Sequence, residues 1–308
     1  MAPPPENGLQ EGLQDGLVVA SHGRHCVVET ADGGRRICHP RGKKLDAVVG
    51  DTVRWRSARD EGVIETVASR RNLLYRQDEV RSKSFAANLD QVLILVAAEP
   101  AFPESLLARA LAACEAARIA ALIALNKMDL AAPFAEAWAR LEPYRAMGYP
   151  ALRLAAGTGA DDEGDFVALQ AQLAGCVTLL LGPSGAGKST LINRLVPGAA
   201  AQTGEISRAL GAGRHTTTHT RWYWLDAART AALIDTPGFQ AFGLRHIGAA
   251  RLAACMPDIH AHAGQCRFAN CTHTHEPGCD VRAAVEAGAI AASRYRLYGE
   301  LLREISHS

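Results

Sequence analysis

Four short stretches of this chain combine residue types and spacings that can do chemistry. The run Gly182-Pro183-Ser184-Gly185-Ala186-Gly187-Lys188-Ser189-Thr190 fits G-x-x-x-x-G-K-[ST]. Its glycines let backbone N–H groups curl around phosphates, Lys188 reaches the β- and γ-phosphates, and Ser189 coordinates Mg²⁺. The apolar "CVTLLLG" before it reads as a strand and "KSTLINRLV" after it as a helix, whose positive end also favours phosphate. A chance glycine-rich turn would lack both flanks.

The second stretch, "TAALIDTPG", ends an apolar run in Asp235, Thr236, Pro237 and Gly238. Asp235 can hold the Mg²⁺ shell through water, and the Gly238 N–H can meet a γ-phosphate. The third, Asn126-Lys127-Met128-Asp129, closes the apolar run "IAALIAL". The Asp129 carboxylate can accept two hydrogen bonds, from guanine N1–H and the 2-amino group, a donor pair that adenine lacks. Asn126 is expected to face O6/N7 of the base and the Lys127 stem to pack on it. Polar pairing of this kind discriminates strongly, because the wrong base leaves groups unsatisfied. A helix-capping Asp beside a solvated Lys is the bland alternative, and the phosphate loop weighs against it.

Between the phosphate loop and Asp235 lies "GRHTTTHT" (213–220), placed where a switch loop completes the Mg²⁺ shell. Thr217 and Thr218 are the two candidates. Position 239, where a glutamine would orient the attacking water, is Phe239. His215 is the candidate in its place, since imidazole can orient or deprotonate a water. The competing reading of His215 is a surface histidine that meets a partner. Slow intrinsic hydrolysis, accelerated by a bound partner, follows from the missing glutamine.

The fourth stretch is Cys266-x4-Cys271-x-His273-x5-Cys279. Three thiolates and an imidazole suit a closed, structural tetrahedral zinc site. His275, His260, His262 and Cys255 are possible substitutes, and unligated core cysteines are the plain alternative.

Elements must position these residues. Five short β-like runs between 15 and 70, separated by turns such as Asp32-Gly33-Gly34 and Asp60-Glu61-Gly62, predict a small barrel of OB type, with an SH3-like barrel left open. From about 88, apolar strands alternate with helices ("QVLILVAA", "SLLARALAACEAAR", "IAALIALN", one helix through "AEAWARLEPYRAMG", "PALRLA"), which predicts a doubly wound α/β domain. The chain closes with helical patterns at 281–288 and 290–305. The base-reading stretch thus precedes the phosphate loop, the reverse of the usual order. Cutting an α/β domain in a surface loop and rejoining its ends would preserve the site. It would also tether D-T-P-G just ahead of the Cys/His segment, so that loss of the γ-phosphate acts on that segment.

Composition sets the frame. The 308 residues are 48% hydrophobic and 21% charged with a net charge of +1, which suits a globular chain of two or three domains. The N-terminal "MAPPPENGLQ" has neither a basic n-region nor an apolar h-region, and no apolar run approaches the ~20 residues of a membrane span. Eight cysteines without a secretion signal argue for metal chemistry rather than disulfides. Nucleic-acid affinity must be local: residues 33–59 hold eight basic residues (Arg35, Arg36, Arg41, Lys43, Lys44, Arg54, Arg56, Arg59) against Asp46 and Asp51, a surplus of six positive charges. A solvated charged face is the alternative. Trp55 either stacks on a base or belongs to the core.

Taken together, "RGKKLDAVVGD", "AANLDQVLILVA", "NKMDL", "GPSGAGKSTLIN", "GRHTTT", "IDTPGF" and "CRFANCTHTHEPGC" resemble, in order, the circularly permuted ribosome small-subunit-dependent GTPases, the RsgA (YjeQ) family. The resemblance runs from roughly residue 15 to 300. The Pro/Gly/Glu/Gln-rich composition of residues 1–14 predicts a disordered tail, and the resemblance implies an OB-fold RNA-binding barrel at 15–75, a circularly permuted P-loop GTPase domain at 85–245, and a small helical zinc-binding domain at 246–308. It also implies GTP/GDP with Mg²⁺ and one structural Zn²⁺ as cofactors. The 30S subunit and its 16S rRNA would be the partners of a cytoplasmic monomer without membrane contact, acting in late 30S maturation. His215 falls where the family's proposed catalytic histidine lies. Two departures stand out: Ala155-Ala156-Gly157 lacks the serine of the family's base-contact loop, and "CHPRGKK" carries an extra Pro40. A GTP-sensing RNA-binding protein with incidental turnover is the alternative function. A nucleotide kinase is disfavoured, because N-K-M-D has no purpose there.

Overall fold

A computed structural model of the chain describes residues 12–22, 25–42, 45–58, 61–77, 82–157, 163–199, 220–236 and 243–306. Of the tail expected at 1–14, residues 1–11 lie outside the described residues, and the first strand already begins at Gln14.

Strands β1 (Gln14–His22), β2 (His25–Glu29), β3 (Arg35–Pro40), β4 (Thr52–Ala58) and β5 (Glu61–Val67) form the barrel. Their order is β1-β2-β3-β5-β4, with β4 pairing back to β1 and β3 running parallel to β5. This closed five-stranded order is the OB arrangement, which resolves the choice left open by the strand pattern. Alternation decides what faces in: along β4, Val53 and Trp55 are buried while Thr52, Arg54 and Arg56 are exposed. Trp55 is 3% exposed and is a core residue, so it is not a base-stacking platform.

Strands β6 (Leu73–Gln77) and β7 (Ser82–Ala87) make a separate antiparallel hairpin. It had no counterpart in the sequence reading, and β6 straddles the expected barrel limit at 75. Paired asparagines tie the barrel, the hairpin and the following strand together. Asn72 exchanges two hydrogen bonds with the Leu89 backbone (2.8 and 2.9 Å), and Asn88 donates to the Gly50 carbonyl at 2.8 Å.

The α/β sheet contains β8 (Gln91–Ala97), β9 (Ala120–Asn126), β10 (Ala151–Arg153), β11 (Val177–Leu181), β12 (Thr220–Trp224) and β13 (Ala232–Asp235), in the order β10-β9-β8-β11-β13-β12. All neighbours are parallel except β12–β13. Every residue of β8 is buried, as expected for a strand covered on both faces. Helix α1 (Glu104–Ala117) packs a broad Leu/Ala face on the sheet. The single helix expected over 135–148 is two, α2 (Ala131–Arg140) and α3 (Glu142–Ala146). Pro143 lacks an N–H and clashes with the preceding turn, so the helix restarts with proline in its first turn. Helices α4 (Glu163–Leu173) and α5 (Lys188–Leu195) cover the opposite face of the sheet.

The barrel is fused to the sheet through β1–β12 pairing (Ala20↔Arg221, Ser21↔Thr220). At this seam the buried Glu29 carboxylate accepts from Arg35 Nε (2.9 Å) and Trp224 Nε1 (2.8 Å), with Arg229 at 3.4 Å. The C-terminal part is helical: Ala249–Leu252, Pro257–Ala263, Asp280–Glu286 and Ala292–Ser306. It locks onto the sheet layer through two arginines. Arg109 of α1 pairs with Glu304, and Arg294, 2% exposed, pairs bidentately with Asp258 (2.8 and 3.1 Å) while lying over the Tyr144 ring. No described helix is long and apolar enough to cross a membrane.

Candidate nucleotide and metal sites

Strand β11 sits mid-sheet between β8 and β13 and delivers the glycine loop to the carboxyl edge, where open α/β sheets bind ligands. Two glycines there are steric necessities. A Cβ at Gly182 would lie 2.2 Å from the Leu95 carbonyl oxygen of β8. At Gly187, φ is +97° and a Cβ would lie 2.3 Å from Asn126 Nδ2. The loop therefore threads where only bare backbone passes. Helix α5 starts at Lys188, whose ammonium donates to the carbonyls of Gly182 (2.6 Å) and Pro183 (3.0 Å). Burial lowers the Lys188 pKa and the nearby Asp235 opposes that shift. Ser189 and Thr190 are exposed in the first turn, as are Ser184 and Gly185 at the loop tip, while Ala186 is buried.

Strand β9 is two places away and ends on Asn126, which is 3% exposed. Its Nδ2 donates to the Ala186 carbonyl of the glycine loop at 2.8 Å, and its Oδ1 accepts from the Ala156 N–H at 3.0 Å. A carboxamide has two donors and two lone pairs, so one of each remains for a base. Asn126 was expected to face the base; its observed partners make it a brace between the glycine loop and the 155–157 loop. That second role escaped the sequence reading, as did the use of Ala156. The Ala156 contact is a backbone one, so the missing serine does not abolish it. Lys127 has φ +70°, and the Met128 N–H donates to the Leu154 carbonyl at 2.9 Å, which fixes the turn. Lys127 and Met128 are half-buried. Asp129 is exposed, and its carboxylate makes no hydrogen bond or ion pair with described residues.

Asp235 ends β13 opposite Leu180 of β11 and Arg221 of β12, and is 7% exposed. Burial pushes its carboxyl up to about 6, against the opposing pull of Lys188, Arg221 and the Thr236 N–H. Folding thus raises its proton affinity. The group costs nothing below pH ~4, where both states are protonated, and its full cost is felt above the folded pKa. Asp235→Asn is therefore expected to stabilise the nucleotide-free, Mg²⁺-free protein by roughly 1–3 kcal/mol at pH 8, with the gain vanishing near pH 4. Thermal melts of both proteins across that range check it. Gly238, His215, Thr217 and Thr218 lie outside the described residues, as do Phe239 and Pro237.

A family model described as RsgA GTPase matches residues 67–245. A small ribosomal subunit biogenesis GTPase RsgA of Variovorax paradoxus (strain S110) is 64% identical over 300 residues, covering 96% of this chain and 94% of its own. The chain belongs to the RsgA GTPase family. It is accordingly a GTP-hydrolysing enzyme that binds guanine nucleotide. The like-named protein of Burkholderia pseudomallei (strain K96243) is 51% identical over 293 residues, 94% of this chain and 92% of its own. Among solved structures, YjeQ from Thermotoga maritima superposes with a TM-score of 0.73 at 30% identity, covering 96% of this chain and 99% of that one. YloQ, a circularly permuted GTPase, gives 0.69 at 26% identity with 98% of both chains covered. The permuted order of this RsgA-family chain is visible in its own sheet, where the phosphate-loop strand β11 lies beside β8, the strand that opens the domain.

In the C-terminal part of this RsgA-family GTPase, the ligand atoms of Cys266, Cys271, His273 and Cys279 all lie within 4.8 Å of one another. Cys266 Sγ is 3.4 Å from His273 Nδ1 and 3.9 Å from Cys279 Sγ, and Cys279 Sγ is 3.6 Å from the same nitrogen. Tetrahedral zinc with bonds of about 2.3 Å to sulfur and about 2.0 Å to nitrogen requires separations of about 3.8 and 3.5 Å. The four donors fit. Among the possible substitutes, Cys255 belongs to the apolar core, and His260, His262 and His275 stand outside this cluster. Tyr295 and Tyr298 donate to the carbonyls of His273 (2.7 Å) and Thr272 (2.9 Å), tying the ligand loop to the last helix.

The positive surplus of the barrel is smaller in space than in sequence. Arg41 and Arg56 share Glu65, Arg35 holds Glu29, and Arg54 lies 3.8 Å from Asp15. These acids come from outside the 33–59 window, which is why counting that window overstated the charge. Lys43, Lys44 and Arg59 lie outside the described residues.

Proposed function

We propose that the chain acts in small-subunit biogenesis, as its relatives are named for, binding the 30S particle and its 16S rRNA in late maturation and leaving when GTP is hydrolysed. The single observation that carries the reading is the Asn126 bridge to Ala186. It supports a shared pocket in which the glycine loop holds phosphates while Asp129 selects guanine. In that pocket Gly182 to Gly187 cradle the phosphates and Lys188 neutralises them. Ser189 and Thr190 start the helix beneath, with the Ser189 hydroxyl and Thr217 on Mg²⁺. Asp235 supports the ion through water, Gly238 meets the γ-phosphate, and Lys127 and Met128 flank the base. His215 orients the attacking water. Cys266, Cys271, His273 and Cys279 hold Zn²⁺, whose chemistry there is structural. The division into barrel (15–75), GTPase (85–245) and zinc-binding (246–308) parts follows from these roles, in a cytoplasmic monomer.

Coupling between nucleotide and C-terminal part has a short path. Eight residues past Asp235, the Gly243 carbonyl accepts from Gln77 of the hairpin (3.1 Å), and the Arg245 N–H donates back to Gln77 (3.3 Å). Purified 30S particles are expected to accelerate GTP turnover at least tenfold, the partner supplying what Phe239 cannot. Phosphate release with and without 30S tests this. Unchanged turnover would replace the proposal with a GTP-sensing RNA-binding protein.

A further inference from the structure

With Trp55 buried, the barrel offers no aromatic platform at that position, whereas the zinc-ligand loop offers one. Between Cys266 and Cys271, residues 267–270 are all exposed. Phe268, 41% exposed, is the one aromatic among the large hydrophobic side chains left open to solvent in the described residues. The Arg267 guanidinium lies over its ring, 5.5 Å from the centroid. The loop is held rigidly: Arg267 N–H donates to the Gly278 carbonyl (3.0 Å), Cys271 N–H donates to the Phe268 carbonyl (3.1 Å), and metal-ligand cysteines stand at both ends. Phe268 lines a groove of about 780 Å³ together with Ala250, Ala253, His260, Tyr298 and Arg303. No carboxylate lines it. The neighbouring Glu276 directs its oxygens to the backbone N–H groups of Thr272, Thr274 and His275.

We infer that this groove binds an unstacked base of single-stranded RNA, stacked on Phe268, with its phosphates toward Arg303 and His260. Three features favour RNA over an acidic peptide: the Arg267 guanidinium over the Phe268 ring, the loop tied down by its backbone hydrogen bonds, and an alanine-rich lining that carries His260 and Arg303 and no carboxylate. Single-stranded RNA is read by such stacking, whereas an acidic peptide needs the charges alone. The inference rests on the small-subunit reading for its partner, but its test does not.

The full-length, zinc-loaded protein is titrated into a short fluorescein-labelled single-stranded RNA of mixed sequence and followed by anisotropy. The matching RNA duplex and a poly-glutamate peptide serve as competitors. Phe268→Ala is expected to weaken binding about tenfold, and Phe268→Trp to hold it within about twofold with RNA-dependent quenching of the new indole. The duplex should compete poorly. Arg303→Gln should weaken binding and flatten its salt dependence, since a phosphate contact is lost. Zinc content and melting of each variant verify that the loop is intact. The inference is overturned if both Phe268 variants bind as the parent does without quenching, or if poly-glutamate displaces the RNA and its binding is the one that Phe268→Ala abolishes. Failure of 30S stimulation together with a large Phe268 effect would instead sink only the small-subunit reading.

Discussion

Replacing Asp129 with Asn is expected to lower GTP affinity by roughly 10²–10³-fold while leaving the fold intact. The carboxylate is exposed and engages no described residue, so its removal disturbs no internal contact. Its expected work is entirely on the base. It offers two acceptor oxygens to guanine N1–H and the 2-amino group. A carboxamide keeps one acceptor and sets its own NH₂ against the guanine amino group, so a hydrogen bond is lost and two donors face each other. Xanthine carries a carbonyl oxygen in place of that amino group and restores the match. The expected outcome is therefore an exchange of preference: XDP binding rises as GDP binding falls, measured by competition against a fluorescent nucleotide. Loss of affinity for both bases would mean that Asp129 shapes the turn rather than reading the purine. Asn126→Ala makes the contrasting case. Its carboxamide joins the glycine loop to the 155–157 loop, so its loss should weaken binding of any nucleotide and also lower the melting temperature.

The contrast shows what the chain reveals of itself and what it withholds. Gly182, Lys188, Asp129 and the three clustered cysteines stood out as candidates in the sequence because each would act through its own side chain, or the lack of one, at fixed local spacing. The Asn126 bridge was not, since its partner is 60 residues away and contributes only a carbonyl. Ala156 carries no side-chain signal at all. The barrel was legible from its turns and alternation. Its charge was not, because the one acid that Arg41 and Arg56 share, Glu65, reaches them only once β5 lies between β3 and β4. The β6–β7 pair escaped for a similar reason: "LLYRQ" and "SKSFAA" carry a weak period, and pairing with each other makes them strands. Pro143 could have been read as a helix break on first principles.

Removing zinc is expected to dismantle the C-terminal part while sparing the nucleotide cleft. The ligand loop has little else to hold it. Most of residues 264–278 are exposed, and His273 sits at φ +61°, a left-handed backbone that a β-substituted residue adopts only when its surroundings impose it. The two tyrosine hydroxyls bond to the loop backbone but cannot supply a core. Structural zinc binding is worth on the order of 10 kcal/mol in small domains, more than such a loop can recover by packing. Cys279→Ser, or chelation of the parent, should therefore release about one equivalent of zinc and open the segment after residue 264 to protease. A lower, separate melting transition should appear as well. The helix Ala292–Ser306 should hold longer than the loop, because Arg294 and Glu304 clamp it to Asp258 and Arg109. GDP affinity should change less than about threefold, since Asn126 and Lys188 take their hydrogen-bond partners from the glycine loop and Ala156 and not from the ligand loop. A single cooperative transition shifted as a whole would show instead that the C-terminal helices and the GTPase sheet fold as one unit, with zinc stabilising both.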